Sequence, residues 1–493
     1  FTKGSQNQQK NILIVRNNSG SQSFQRLNSL NAGYQDPPFD DEFEQQDESK
    51  LELPLWMQDK YIRDKNGRRP GEENYDPTTI AIPPEEMLLA SNAFKQYLEV
   101  KSNNWDKLVA FKKWKFYYFY YKDALVVKKV CDLPIQSNKS KQFFCMIHEN
   151  AFSKFAPILI QNDHKIVLVE QMEEINGKEA DHVKREVCQI LTKGTYFEYN
   201  EMGYASQYLL CLIEDKSTRD FGVVFLDTTT HEFHLGEFRD DPYFTNLRTL
   251  LTRIKPVEIV HLSRNLSSEC HKMINGLVNK PMITTLAISG YPKRLEEIIF
   301  TIKPFFLDKE SKKFKLPQYL EQINISVENY LKTIQSTEIE DAIDAQKRSP
   351  FFYTLQVLGV SLEYLKNILL ADTVFTMGNF LPYDLTLEKQ GTLYLDAQAL
   401  ESLEILDISY DQRLNQKLSL FGFMDRTVTP FGKRMFKRWI TSPAIDPEKI
   451  NERLDSIEDL KANPQVLDYM QEYLRRLPDI ERTVSRVYNM SSK

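Results

Sequence analysis

The chain has 493 residues, of which 41% are hydrophobic and 27% are charged, and its formal net charge is −6. At roughly 150 residues per domain, this length suggests about three globular domains. No apolar run reaches the roughly 18 residues needed to cross a bilayer, and no signal peptide opens the sequence, so we expect no membrane partner. The first residue is Phe1 rather than Met, which favours a fragment or a processed product.

The cysteines and histidines give no sign of a metal site or a disulfide framework. Five cysteines are scattered along the chain without a C-x-x-C pair, which argues against zinc and favours a reducing compartment. His231 and His234 lack the i,i+4 spacing of a helical metal pair, so we interpret them as a polar strand end. We therefore predict no metal and no cofactor in this chain.

The amino-terminal part joins an acidic segment to a basic one. Residues 1–72 are rich in polar residues, and nine acidic residues stand against a single lysine between positions 36 and 59. This composition predicts a disordered tail, with order beginning near residue 75. From Lys95 to Lys129, nine lysines then face three acidic residues. A solvated lysine-rich face is the commoner explanation of such a run, and a nucleic-acid-binding surface is the alternative.

Residues 73–181 are predicted to form a small α+β module. Aromatic and β-branched residues are dense in four short segments, which indicates strands. The predicted strands are Lys107–Ala110, Phe116–Tyr121, Leu125–Val130 and Lys165–Val169. A helix is predicted over Asn150–Gln161.

Residues 182–305 alternate strand and helix patterns, which indicates an α/β sheet. The nearly continuous apolar run Phe221–Asp227 predicts a central strand that is buried on both faces. Further strands are predicted at His231–Glu237 and Val257–Leu262, with a helix over Tyr243–Arg253 between them.

From residue 306 onward the pattern becomes helical. Leu358, Leu362, Leu365 and Leu369 share one helix face. Thr429-Pro430 predicts a helix start, because the threonine hydroxyl can cap and proline lacks the N–H that would be orphaned.

An ordered set of motifs in this helical part resembles the MutS family of DNA mismatch-repair proteins. An aspartate precedes an Ala-Leu-x-x-Leu-Glu segment, and a Thr-Pro-Phe-Gly-Lys-Arg helix start follows. The matching segments are Leu395–Ile405, Thr429–Arg434, Trp439-Ile440, Pro443 and Ile450–Asp455 with Glu458. We expect these positions to pack a core and orient helices without performing chemistry.

Two upstream regions resemble other parts of the same family. The segments Val183–Val187 and Ile190–Thr195 are similar to the entry of the MutS connector domain. A lead-in to the mismatch-binding domain is also similar, and it points to the mismatch-reading eukaryotic paralogue rather than to its partner subunit. Its residues are Trp56, Arg63-Asp64, Arg69-Pro70 and Tyr75–Thr79.

The candidate site residues lie between Lys112 and Tyr118. In mismatch-reading members of the family the pattern is Gly-Lys/Asp-Phe-Tyr-Glu, whose phenylalanine wedges beside the mispaired base and whose glutamate hydrogen-bonds that base. By resemblance, Phe116 matches the wedge, and the alternative is that this aromatic-rich strand simply packs its core. Trp114 stands in place of the glycine and Tyr118 in place of the glutamate, so a hydroxyl replaces the carboxylate. Phosphate contacts are predicted for Lys112, Lys113 and Lys115.

The resemblance implies a multidomain protein with α/β and all-α parts. The expected order is an acidic tail (1–72), a mixed α+β mismatch-binding domain (73–181), an α/β connector (182–305) and an incomplete helical core/lever domain (306–493). The implied partners are double-stranded DNA with mispairs and a second MutS-homologue subunit in a nuclear heterodimer. The sequence lacks a G-x-x-x-x-G-K-[ST] phosphate loop, so ATP and Mg²⁺ are expected only in an ATPase domain outside this chain. The alternative is a divergent scaffold subunit that binds DNA backbone and partner proteins without reading mispairs.

Overall fold

The fold is described here by a computed structural model, which divides the chain into two compact units, Phe1–Glu201 and Met202–Lys493. The structure describes residues 44–45, 51–138, 140–172, 183–196, 206–277, 279–288, 290–307, 314–334, 346–383, 391–406 and 418–491. Among these residues, no helix combines the length and apolar character needed to cross a bilayer.

The first unit is built on a seven-stranded mixed sheet with strand order β1-β4-β5-β3-β2-β6-β7. Its strands are β1 (Glu44–Gln45), β2 (Leu108–Lys113), β3 (Phe116–Tyr120), β4 (Gln136–Ser137), β5 (Phe143–His148), β6 (Ile166–Gln171) and β7 (Arg185–Leu191). The helices are α1 (Pro84–Leu89), α2 (Asn92–Asn103), α3 (Lys122–Cys131) and α4 (Glu149–Gln161). The mixed fold expected for this part of the chain is therefore confirmed.

An aromatic layer joins helix α2 to the sheet. Ser91 caps α2 by accepting the Phe94 N–H at 3.4 Å, and the helix buries Phe94 and Tyr97 on one face. The Phe94 ring lies 5.2 Å from Tyr120, and Tyr97 lies 5.8 Å from Phe111, both edge to face. Because such ring pairs combine large buried areas with favourable geometry, this layer forms the core on that side of the sheet.

The strand predicted at Leu125–Val130 is wrong, because these residues lie in helix α3. Its buried residues Asp123, Ala124, Val127 and Cys131 recur at helical spacing, and Asp132 ends the helix in the left-handed conformation with φ of 55°. The valines of this segment suggested a strand, but packing of one helical face overrides their weak β preference.

Order begins earlier than the predicted boundary near residue 75. Residues 51–72 include a short 3₁₀ turn at Leu55–Met57 that buries Trp56 and Met57. The buried Asp64 carboxylate accepts three backbone N–H groups, from Asn66, Arg68 and Asp76, at 2.8–3.0 Å. A single carboxylate thus organises a loop whose composition had indicated a disordered tail. The disorder predicted for residues 1–43 and 46–50 lies outside the described residues.

Strand β7 also differs from the expected start of the connector at residue 182. It pairs antiparallel with β6, with Ile166 opposite Leu191 and Gln171 opposite Arg185. Residues 185–191 therefore complete the first sheet instead of entering the second unit.

The second unit contains a six-stranded sheet with strand order β12-β11-β8-β9-β10-β13. Its strands are β8 (Tyr208–Asp215), β9 (Asp220–Asp227), β10 (Glu232–Arg239), β11 (Glu258–Leu262), β12 (Met282–Leu286) and β13 (Asn379–Pro382). Strand β9 pairs antiparallel with both β8 and β10, which confirms the predicted central strand. Strand β13 was not predicted, and it joins β10 in parallel from within the part expected to be helical.

Helices surround this sheet and continue to the carboxyl end of the described chain. They are α5 (Thr245–Ile254), α6 (Ser268–Asn275), α7 (Leu295–Ile302), α8 (Gln318–Ile334), α9 (Phe352–Asn367), α10 (Ala371–Thr376), α11 (Ala397–Ser402), α12 (Leu420–Met424), α13 (Pro430–Thr441), α14 (Pro447–Ala462), α15 (Pro464–Arg475) and α16 (Ile480–Ser491). Helix α9 packs on β8 and β9. The buried Glu258 carboxylate accepts hydrogen bonds from Tyr364 at 2.6 Å and Thr284 at 2.7 Å, and so ties this helix to the sheet.

The predicted start of helix α13 is confirmed. The Thr429 hydroxyl accepts the Gly432 N–H at 3.1 Å, and Pro430 is the first helical residue. Arg434 then binds both oxygens of Asp479 at 2.7 Å, which joins α13 to the chain just before α16. Met435 and Trp439 share one face of the helix but stay 56% and 40% exposed, so that face is only partly covered.

Candidate nucleic-acid interface

The predicted site residues lie on the hairpin formed by β2 and β3. Lys113 and Phe116 are the last paired residues, so Trp114 and Lys115 form a two-residue turn. Trp114 has φ of 55°, a left-handed conformation that costs an L-residue roughly 1–2 kcal/mol and that glycine adopts freely. Glycine, the residue of the family pattern at this position, would adopt the same conformation without that cost.

Phe116 is the first residue after the turn, and its side chain is buried. Only 4% of Phe116 is exposed. It lies opposite His148 of β5, whose ring meets it edge to face with 5.0 Å between centroids. The Nδ1 atom of His148 accepts the Asn150 N–H at 3.2 Å, which fixes the ring at the start of α4. Burial lowers the pKa of His148, so the partner of Phe116 is a neutral imidazole at physiological pH.

Tyr118 lies inside the aromatic layer. It is 4% exposed, and its ring centroid is 5.1 Å from Phe144 and 6.0 Å from Tyr120. The ammonium of Lys113 lies 5.7 Å from the centre of the Tyr118 ring and 5.9 Å from that of Tyr120, within cation–π range. Alternation along β3 places Phe116 and Tyr118 on the same face of the sheet, but both side chains are covered in this structure.

The basic segment is less available to an anion than its sequence suggests. Four of its nine lysines lie beside carboxylates within the described residues, and the four are Lys101, Lys107, Lys112 and Lys122. Lys112 is the only one of them among the predicted DNA-binding residues, and it contacts both Glu149 and Glu170. Lys115 is exposed at the turn. The structure therefore brings Lys113, Lys115 and Phe116 together at the hairpin tip and turns Lys112 to the opposite face.

Tyr117, Glu149 and Glu170 surround Lys112, and none of the three is a predicted site residue. Strand alternation carried the signal, because Lys112 is paired with Tyr117 across the hairpin and therefore shares its face. Glu170 could be found only by knowing that β6 runs parallel beside β2, with Phe111 opposite Val169.

Within the described residues, no group of three or more His, Cys, Asp or Glu side chains could hold a metal ion. The described cysteines are free thiols, and four of the five are buried. The hairpin tip places lysine charge beside buried aromatic rings, two kinds of side chain that nucleic-acid-binding proteins use.

Comparison with known families identifies the class of protein. Residues 91–200 match MutS domain I, residues 207–302 match MutS domain II and residues 398–493 match MutS domain III. Together these matches cover more than half of the chain, which therefore belongs to the MutS family. The family membership and the fold class that were expected from the sequence are both confirmed.

The curated relatives show which members of the family this chain is similar to. The chain is 29% identical to the DNA mismatch repair protein Msh6 of Homo sapiens over 472 residues, which are 89% of this chain and 34% of that protein. It is 30% identical to MSH6 of Saccharomyces cerevisiae over 479 residues, 92% of this chain and 36% of that protein. A bacterial MutS from Caldicellulosiruptor bescii is 26% identical over 398 residues, 80% of this chain and 39% of that protein. The chain thus spans about a third of the length of these relatives.

Proposed function

We propose that this chain binds duplex DNA through the β2–β3 hairpin and reads mispairs by inserting Phe116. The supporting observation is the position of Phe116 directly after a two-residue turn, with Lys113 paired to it and Lys115 exposed beside it. An aromatic wedge that enters the minor groove unstacks a base step and stabilises a kinked duplex. Because a mispaired step is easier to unstack, the cost of deformation itself distinguishes it from a paired step.

The burial of Phe116 adds a condition to this proposal. The ring must leave the edge of His148 to enter DNA, so binding involves a local rearrangement of the hairpin tip. Stacking of the ring on a base, which contributes roughly 1–3 kcal/mol, then takes the place of its packing against His148. Phosphate contacts from Lys113 and Lys115 supply affinity that is independent of sequence.

The activities of the whole protein are proposed from the relatives, whose names describe DNA mismatch repair proteins. We propose that the protein acts in the nucleus as one subunit of a heterodimer with a second MutS homologue. ATP and Mg²⁺ would be bound by an ATPase domain that lies outside these 493 residues, since no phosphate-loop motif occurs within them. The domain limits at residues 72, 181 and 305 also remain proposals, although the structure describes residues 51–72 and pairs β7 with the first sheet.

The decisive experiment compares Phe116→Leu and Phe116→Ala on matched and mispaired duplexes. If Phe116 is the wedge, Phe116→Ala should weaken binding of mispaired duplex by about 1–3 kcal/mol, the scale of base–aromatic stacking. Binding of fully paired duplex should change much less, because that binding depends on phosphates. Phe116→Leu should show the same selective loss while keeping apolar volume in the pocket beside His148. Competition binding, together with thermal melts of each variant, measures both effects.

Phe119→Ala is the matched control, because Phe119 is a fully buried phenylalanine of the same strand that points to the opposite face. It should cost about 3–5 kcal/mol of stability and weaken both duplexes equally. If Phe116→Leu and Phe116→Ala behave like Phe119→Ala, the wedge role is wrong.

The second candidate function is a scaffold subunit that binds DNA backbone and partner proteins without reading mispairs. It is favoured by one observation, the burial of both Phe116 and Tyr118 at 4% exposure. Equal losses on matched and mispaired duplexes in the experiment above would select it.

A further inference from the structure

We infer that Lys112 is a positioning residue for the hairpin, acting through Glu149 and Glu170, and does not bind DNA phosphate. This inference rests on the proposed function of the hairpin. It departs from the sequence-based expectation, which grouped Lys112 with Lys113 and Lys115 as phosphate contacts.

The side chain of Lys112 stands at the centre of a small polar network. Its Nζ atom lies 3.1 Å from Glu149 Oε2 and 3.0 Å from Glu170 Oε2. The Tyr117 hydroxyl donates to Glu170 Oε1 at 2.5 Å, and the Lys112 ammonium lies 5.3 Å from the centre of the Tyr117 ring. The Lys112, Glu149 and Glu170 side chains are 19%, 34% and 25% exposed, so all three are partly withdrawn from water.

This network connects the elements that adjoin the hairpin. Glu149 begins α4, and its N–H donates to the carbonyl of Lys115 at the turn at 2.8 Å. Glu170 lies in β6, the strand beside β2. The carbonyl of Lys112 itself accepts Arg185 Nε of β7 at 2.8 Å. One ammonium group thus links β2 to helix α4 and to strand β6. The first residue of α4 also bonds to the two-residue turn that precedes Phe116.

The charges in the network oppose a phosphate. Lys112 contributes one positive charge, and Glu149 and Glu170 contribute two negative charges, so the group as a whole is an anion. A phosphate oxygen approaching Lys112 Nζ would meet both carboxylates within hydrogen-bonding distance of the same atom. Burial by itself lowers the pKa of Lys112, but hydrogen bonding to Glu170 and Glu149 outweighs this effect, so the pKa is raised. Burial, followed by the bond to Glu170, raises the pKa of Tyr117, which keeps its hydroxyl a donor.

The test compares Lys112→Met with Lys115→Met, which carry the same substitution three positions apart on one hairpin. Binding of the full chain to two short duplexes, one fully paired and one with a single G·T mispair, is measured across a salt series. Lys115→Met should reduce the log–log salt slope by about 0.9, the contribution of one phosphate contact, and keep the preference for the mispair. Lys112→Met should leave the slope unchanged and reduce that preference by about fivefold, the lower end of one base–aromatic stack.

Two further variants keep the test valid if Lys112→Met folds poorly. Lys112→Arg retains the charge and should restore the mispair preference. The triple variant Lys112→Met with Glu149→Gln and Glu170→Gln removes the unpaired carboxylates, so it should melt near wild type and still lack the preference. A salt slope lowered by about 0.9 in Lys112→Met, equal to that of Lys115→Met, overturns the inference.

Hydrogen exchange separates failure of this inference from failure of the proposed function. If the wild-type chain shows no preference for mispairs, the proposed function fails, but the amides of residues 113–118 still report on the hairpin. These amides should exchange faster in Lys112→Met and not in Lys115→Met. Equal exchange in both variants would show that Lys112 does not hold the hairpin.

Discussion

Lys101 and Lys112 of the first unit are both paired with carboxylates, and they differ in burial and in what they hold. Lys101 Nζ binds both oxygens of Asp123 at 2.7 and 3.0 Å and the Lys107 carbonyl at 2.7 Å, and its side chain is 2% exposed. Asp123 Oδ2 also accepts the Val109 N–H at 3.0 Å. Lys112 contacts two carboxylates instead of one, and its side chain is 19% exposed. The first centre lies among core elements, whereas the second lies next to the hairpin tip.

The difference separates a role in stability from a role in positioning. A buried ion pair is costly to desolvate, and removing one partner leaves the other charge buried and uncompensated. Loss of either member therefore destabilises the folded state. A partly exposed pair contributes little to stability, because water screens whatever charge remains. We therefore expect that the Lys112 centre can be altered without unfolding the unit, which would make it suitable for positioning a neighbouring residue.

The largest expected effect comes from Lys101→Met. This substitution leaves Asp123 buried without its cation and should lower the free energy of unfolding by about 3–5 kcal/mol. Lys112→Met should lower it by about 1 kcal/mol or less, since its carboxylates remain partly solvated. Denaturant unfolding of both variants measures the two effects. Equal decreases would remove the distinction between the two centres, whereas recovery of stability in Lys101→Met with Asp123→Asn would strengthen it.

Tyr118→Glu should have the next largest effect. The substitution restores the residue of the family pattern, but Tyr118 is 4% exposed among aromatic rings, so the new carboxylate would be buried. It should cost about 3 kcal/mol at neutral pH, the scale for a carboxylate moved into an apolar site. Burial places the folded-state pKa of the new carboxyl above its unfolded value. The loss of stability is therefore complete above the folded-state pKa, and it disappears as the pH falls below the unfolded pKa of about 4.3.

Thermal melts of Tyr118→Glu between neutral and acid pH check this sign, with Tyr118→Phe as the control that keeps the ring. A Tyr118→Glu protein as stable as wild type at neutral pH would mean that this face of the hairpin opens to water. The aromatic layer would then join the Lys112 centre as an adjustable part of the site.

Local patterns and long-range pairing differ in how far the sequence predicts them. Elements marked by a pattern in their own residues were predicted well, as with the central strand β9, helix α4 and the Thr429 cap of α13. The strand predicted in place of helix α3 was wrong, because the valines of this segment favour a strand locally and only the packed fold shows the helical spacing of its buried residues. Strand β13 was missed, because four residues paired with a strand more than a hundred positions earlier carry no local signal.

The same division applies to the candidate site. The sequence nominates Phe116 and the surrounding lysines as a site, because the motif is short and contiguous, and their role stays a prediction. It could not show that Lys112 and Lys115 have different surroundings, because Glu149 and Glu170 reach Lys112 only through strand pairing. Nor could it show the burial of Phe116, which depends on His148 lying opposite in β5.

The smallest expected effect concerns the turn, where backbone strain rather than charge sets the geometry. Trp114 has φ of 55°, whereas Lys115 is not among the residues with positive φ. Trp114→Gly and Trp114→Ala both remove the indole ring, but only alanine keeps a Cβ in the left-handed region. Trp114→Gly should therefore be more stable than Trp114→Ala by about 1 kcal/mol. At Lys115 the order should reverse, with Lys115→Gly less stable than Lys115→Ala by about 0.5–1 kcal/mol, because glycine there only loses more backbone entropy.

Four melting curves decide the matter, and the opposite signs at adjacent positions remove any common effect of shortening a side chain. If alanine is the more stable residue at both positions, Trp114 is not strained, and the hairpin tip is held by its contacts alone. If the signs are opposite as expected, the turn stores strain that the family's glycine avoids. In that case the Lys112 centre, which bonds to the turn through the Glu149 N–H and the Lys115 carbonyl, is a polar network able to hold the strained conformation in place.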